Sequence, residues 1–195
     1  MRQAQIDRKT KETDIHLTLN LDGVGKADID SGVGFLNHML ELLAFHSGMD
    51  LFVRCQGDTW VDDHHSVEDI GIALGQALRN ALGDKKGITR YGNFLLPMDE
   101  ALVLVALDLS GRDALGYGVT LPTQKVGSFD TELVKEFMLA FTRSAKACLH
   151  FQMMAGENTH HIIEAMFKGL GRALRQAVSI DPMRAGETPS SKGLL

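Results

Sequence analysis

The chain has 195 residues, 44% hydrophobic and 23% charged, with a formal net charge of −5. This is the composition of a folded globular domain and excludes disordered, collagen-like and low-complexity classes, while the negative balance disfavours nucleic acid or an anionic membrane as partner. At this length roughly 70% of the unfolded surface is buried on folding, so neither disulfides nor a structural metal is needed for a core, and Cys55 and Cys148 are expected as free thiols.

The opening MRQAQIDRKTKETD is polar and has no apolar signal core, and no stretch approaches the ~18 apolar residues of a membrane span. A cytoplasmic location is expected. Ile15, Leu17, Leu19 and Leu21 alternate with polar residues, which predicts a strand with one buried face. His16 falls on its polar face with Asp14 and Thr18 and reads as an ordinary strand residue. Residues 34–47 place Phe35, Met39, Leu42 and Leu43 on one side of a helix, and 50–58 return to an extended pattern. Residues 64–82, HHSVEDIGIALGQALRNAL, predict a second helix, opened by Asp62 and Asp63.

The same elements then recur. Val103, Val105, Leu107 and Leu109 alternate as a strand, residues 132–149 are expected as a helix, and 160–178 read HHIIEAMFKGLGRALRQAV. That last segment matches 64–82 without a gap, nine of nineteen positions being identical, including the His-His pair and the Glu that follows. ETDIHLTLNLDG from Glu12 and EALVLVALDLSG from Glu100 are a weaker echo. These patterns predict an α+β chain made by internal duplication, two similar sheet-plus-helices halves packed as one unit. The pseudo-repeats are set at about 1–93 and 94–182 of a single domain spanning 1–195, with a tail at 183–195.

The duplicated segment carries the chemistry. His64 and Glu68 are i, i+4 on one helix face and can share a metal ion, whereas His65 is turned about 100° away, so one helix can serve two ions. His160, His161 and Glu164 repeat the set. Adjacent imidazoles on one helix have no packing advantage and repel when protonated. Imidazole with carboxylate and without thiolate suits Mn, Fe, Co, Ni or Zn, and the N/O set leans towards six-coordinate Mn. His38, His46 and His150 lie outside the pairs. His38 and His46 are about 80° and ~12 Å apart along one helix and cannot easily share an ion. Arg90, Arg112, Ser190, Ser191 and Lys192 together suit a phosphate clamp, although the chain lacks the order of a P-loop and shows no nucleotide motif.

Seven segments in order, GFLNHMLELLAFH (34–46), GDTWVDDHHSVED (57–69), KKGITRYG (85–92), PMDEALVLVALDLSGR (97–112), GSFDTELVKEF (127–137), NTHHIIEAMFKGLGRALRQA (158–177) and PSSKG (189–193), resemble the imidazoleglycerol-phosphate dehydratase family of histidine biosynthesis, in its monofunctional form. The resemblance implies a ribosomal protein S5 domain 2-like fold and a hydro-lyase that converts imidazole glycerol phosphate to imidazole acetol phosphate. It implies two Mn²⁺ per active site, with other divalent transition metals also compatible, and a route through a metal-bound imidazolate and a diazafulvene. The implied metal ligands are His38, His64, His65, Glu68, His150, His160, His161 and Glu164. Glu12 corresponds to the catalytic acid/base, and His46 is expected to assist proton transfer. Substrate contacts are expected from Glu12, His38, His46, Arg90, Arg112, Lys168, Ser190, Ser191 and Lys192. Self-association to a 24-mer built from trimers is implied as well. The ligands by themselves also fit a binuclear metallohydrolase or a purely structural metal joining subunits.

Overall fold

The computed structural model of the protein describes residues 2–195. The first half contains β1 (Gln3–Lys9), β2 (Thr13–Asn20), β3 (Ala27–Asp30), α1 (Gly34–Ser47), β4 (Asp50–Gly57) and α2 (His64–Leu82). The second contains β5 (Tyr91–Met98), β6 (Ala101–Asp108), β7 (Ala114–Gly118), a short ribbon of β8 (Lys125–Val126) and β9 (Phe129–Asp130), α3 (Leu133–Ala145), β10 (Cys148–Ala155) and α4 (Thr159–Val178). The sheets have equivalent orders, β1-β2-β4-β3 and β5-β6-β10-β7. In each, one edge strand runs parallel to its neighbour (β3 to β4, β7 to β10) and the other pairings are antiparallel. The α+β class and the duplication are thus present in the topology itself.

Each central strand buries alternate residues. Ile15, Leu17 and Leu19 of β2, and Val103, Val105 and Leu107 of β6, face the helices. Helix α2 packs on β1 and β2 and also on α3 of the other half, while α4 packs on β5 and β6 and also on α1. The helices therefore lie between the sheets, interlocked across the halves, and the core is continuous through both. The repeated Leu-Gly pair explains how they approach so closely. A Cβ at Gly75 would sit 2.5 Å from the Phe141 carbonyl oxygen of α3, and one at Gly171 would sit 3.0 Å from the Leu43 carbonyl oxygen of α1.

One element was not foreseen and one expectation is corrected. The polar opening holds a strand, β1, paired along its whole length with β2. As an edge strand with half-exposed faces and charged side chains it needs no apolar period. The stretch 132–149 is not one helix: α3 ends at Ala145, Lys146 takes a left-handed conformation (φ 53°), and Cys148 and Leu149 begin β10. Gly48 makes the same turn in the first half (φ 75°); a lysine there hides the stop. No helix among the described residues is long and apolar enough to cross a membrane.

Candidate metal centre

Helix α4 opens with Asn158, whose side chain accepts from the His160 and His161 amides and so fixes the first turn that carries both imidazoles. In α2 the equivalent work falls to Asp62, which accepts from the His64 amide at 2.8 Å; Asp63, at the position before the helix, makes no side-chain cap. The intrahelical pairs are as the spacing requires: His64 Nε2 lies 3.8 Å from Glu68 and His160 Nε2 3.9 Å from Glu164.

One cluster closes within the chain. Because α1 packs against α4, His38 Nε2 comes within 2.9 Å of Glu164 Oε1, and the ligand atoms of His38, His160 and Glu164 all fall within 4.8 Å of one another. Phe35 stands edge-on to the His160 ring and contacts Phe129, walling one side. Glu164 is buried, with 8% of its side chain exposed. Burial raises its carboxyl pKa, yet the His38 hydrogen bond and the Lys168 charge outweigh that and hold it below the ordinary value. Lys168 Nζ lies 3.3 Å from Glu164 Oε2.

His65 and His161 point away from their neighbours, as the helix angle predicts. His65 Nδ1 lies 3.0 Å from both Asp58 oxygens, and its Nε2 lies 3.8 Å from Glu12 Oε1. His161 Nδ1 lies 2.7 Å from Glu100 Oε2, and its Nε2 lies 3.7 Å from Asp99. The Asp58 hydrogen bond holds the His65 imidazole pKa above its ordinary value, and Glu100 does the same to His161. Glu100 in turn is drawn down to about 2, by that bond first and then by the Asn158 amide. Asp58 and Glu100 were not among the site residues expected from sequence; the echo of Glu12 at Glu100 was the available signal.

The remaining expected residues are dispersed. His150 lies on β10 between the buried Leu149 and Phe151 and so projects from the sheet face opposite the helices. Glu12, at the head of β2, is half-exposed, and among the described residues its side chain pairs with His65 alone. His46 lies on the same helix as His38 but roughly 12 Å further along it, and lines a cleft of about 630 Å³ with Arg2, Arg172 and Arg175. Its Nδ1 is buried without a partner among the described residues, and burial, followed by the Arg172 and Lys168 charges, lowers its pKa. Arg90 is held by Asp108 (2.7 Å) and donates to the Pro189 carbonyl (2.9 Å), which ties the tail to the end of β5. Leu195 reaches Gly111, beside Arg112, and Ser190, Ser191 and Lys192 lie in this same tail, where Ser190 Oγ accepts from the Lys192 amide. The Arg90 amide donates to the Ala177 carbonyl, so Arg90 and the tail segment it holds at Pro189 lie at the C-terminal end of α4.

The donors fit a divalent transition metal. They are imidazole and carboxylate oxygen, three already converge, and the two outer imidazoles have Nδ1 bound to carboxylates so that Nε2 is left to ligate. Buried Cys55 is not part of the cluster.

A family profile described as imidazoleglycerol-phosphate dehydratase matches residues 31–174. The chain is 57% identical over all 195 residues to an imidazoleglycerol-phosphate dehydratase of Cereibacter sphaeroides, covering 100% of each. The crystal structure of the Staphylococcus aureus imidazoleglycerol-phosphate dehydratase superposes with a TM-score of 0.84 at 44% identity, covering 92% of this chain and 99% of that one. A Pyrococcus furiosus structure, titled as IGPD in complex with (S)-C348, also gives 0.84, at 39% identity over 97% and 100% of the two chains.

Proposed function

This chain belongs to the imidazoleglycerol-phosphate dehydratase family, whose members are hydro-lyases (EC 4.2.1.19) of histidine biosynthesis, and we propose that it dehydrates imidazole glycerol phosphate to imidazole acetol phosphate at a centre of two Mn²⁺ ions. The observation that carries the metal reading is the convergence of His38, His160 and Glu164 from two interlocked helices. His64, His65, Glu68, His150 and His161 supply the other ligands.

The difficulty of the reaction is that the proton lost has no adjacent carbonyl to make it acidic. The metals, when bound, supply Lewis acidity at the substrate's ring nitrogens and orient the ring. Glu12 is the carboxylate free to work beside it: half-exposed, unpaired except for His65 at 3.8 Å, and anchored at its backbone, where its carbonyl accepts from the Asp58 amide. It takes the proton from the carbon next to the departing hydroxyl. The electron pair of that C–H bond forms the C=C of an enol as the C–O bond to the ring-side carbon breaks, the departing hydroxide and the proton taken by Glu12 leave together as water, and the enol tautomerises to the ketone. Lys168 faces the centre and offers a positive charge to the polar chain of the substrate.

The phosphate set requires a second chain. Arg90, with the tail that carries Ser190, Ser191 and Lys192 held to it at Pro189, sits at the end of α4 near Ala177, 17 residues from His160 and thus roughly 25 Å away along the helix. A three-carbon chain between ring and phosphate cannot span that. A neighbouring subunit presenting its tail end to this metal end would complete the site, and the same logic gives outward-facing His150 a role as ligand to another subunit's ion. Assembly into trimers and then a 24-mer satisfies both, with metal joining the chains.

The test is conversion of imidazole glycerol phosphate by protein stripped with chelator and then titrated with Mn²⁺, with free phosphate monitored in parallel. Ketone that appears only with metal, without phosphate release, is expected. Phosphate release without ketone would make the site hydrolytic, and neither product at any metal load would leave it structural.

A further inference from the structure

The His-Glu clusters do not account for two carboxylates, Asp58 and Glu100, that hold the Nδ1 atoms of His65 and His161. We propose that these two residues are the positioning groups of the metal centre: each fixes the ring and tautomer of one imidazole so that Nε2 carries the lone pair. The inference rests on the metal reading above. An ionised carboxylate only accepts hydrogen bonds, so the bonded Nδ1 must carry the proton, and a neutral imidazole then has its lone pair on Nε2. Such outer partners typically change metal affinity by about 10–100-fold when removed.

The geometry divides the two residues in a way that charge alone does not. Both oxygens of Asp58 are equidistant from His65 Nδ1, at 3.0 Å. An asparagine there keeps one carbonyl oxygen that can accept the same proton. Glu100 has no spare oxygen: Oε2 holds His161 Nδ1, while Oε1 accepts from the backbone amides of Asn158 (2.7 Å) and Glu157 (3.2 Å). A glutamine there has one acceptor for two duties. If its oxygen stays with the amides, its NH₂ meets Nδ1, drives the proton to Nε2 and blocks ligation.

Glu100 is also the counterpart of Glu12, each being the residue before a central strand. The loop from β4 to α2 spans residues 58–63 and brings its own orienting carboxylate, Asp58, so that His65 Nδ1 does not engage Glu12. The loop from β10 to α4 spans only 156–158 and has no aspartate, so Glu100 is drawn into the positioning role. One ancestral position has become a proton carrier in one half and a ring holder in the other.

The experiment is a Mn²⁺ titration of the intact, chelator-stripped protein followed by the EPR signal of free Mn²⁺, comparing wild type with D58N, D58A, E100Q and E100A, with folding checked by metal-free thermal unfolding. E100Q, E100A and D58A are expected to lose about 10–100-fold in affinity for one class of site, and D58N less than about fivefold. Equal losses in D58N and E100Q would overturn ring positioning in favour of simple charge, and unchanged affinity in E100Q would remove Glu100 from the centre. A variant whose metal-free unfolding falls as far as its affinity would assign the residue to the fold instead. Wild type that takes up no Mn²⁺ overturns the metal centre itself, and this inference with it.

Discussion

The two copies of the His-His-x-x-Glu helix start are alike in sequence and unlike in surroundings. Glu164 is buried between His38 and Lys168, whereas Glu68 has 42% of its side chain exposed and only His64 beside it. The cause is the helix laid across each. Helix α1 brings His38 onto α4; counting back ten residues from the left-handed turns at Gly48 and Lys146, the matching residue of α3 is Glu136. The residue of α2 that matches Lys168 is Ile72. Duplication preserved the geometry within each helix, and the partner helix decided which of the two His-Glu sets closes into a cluster within the chain.

That contrast can be broken at several points. The largest effect is expected from Glu12→Gln, which should cut kcat by about 10²–10⁴-fold while Mn²⁺ content and assembly stay unchanged. Loss of bound metal in that variant would move Glu12 from acid/base to ligand. Next, in metal-free protein, Glu164→Gln should cost about 2–3 kcal/mol of stability, because it leaves Lys168 and His38 without their charged partner, and Glu68→Gln should stay within about 0.5 kcal/mol. Denaturant titrations of the two variants side by side decide it, and equal costs would mean that the closed cluster contributes nothing to the fold.

Smaller differences should appear where the halves interlock. Gly75→Ala forces a methyl to 2.5 Å from a backbone carbonyl, and Gly171→Ala to 3.0 Å. The first should cost about 2 kcal/mol by overpacking and the second less, read from the same titrations. The smallest effect concerns the turns that follow the central strands. Asp50 accepts from the Val24 and Lys26 amides, and those bonds hold its carboxyl below the ordinary value. Its counterpart, Cys148, donates to the Arg112 carbonyl. A depressed carboxyl stabilises the fold above the unfolded-state pKa and loses that contribution as pH falls through the folded one. Acid should therefore speed hydrogen exchange at Val24 and Lys26 beyond the intrinsic trend and leave the 109–113 turn unaffected.

Much of this was legible before any coordinates. The alternation of β2 and β6, the amphipathic periods of α1, α2 and α4, and the spacing of His64 to Glu68 and His160 to Glu164 are local properties with fixed angular consequences. Edge strand β1 was not legible, because an edge need not hide either face, nor was the end of α3, where lysine makes a turn usually left to glycine. Glu12 entered the expected set only through the family resemblance, and Asp58 and Glu100, which hold the outer imidazoles, did not enter it. A carboxylate that touches a histidine 7 or 61 residues away has no periodic signature.

The duplicated α+β architecture and the two helices that open on His-His-x-x-Glu are readable from the amino-acid sequence, since period, spacing and self-similarity are carried by neighbouring residues. Tertiary packing alone brings His38 to Glu164, sets Asp58 and Glu100 against the outer rings, and leaves the tail a helix length from the His38–His160–Glu164 cluster. Those facts depend on which helix crosses which, and the crossing is set by packing between segments far apart in the chain.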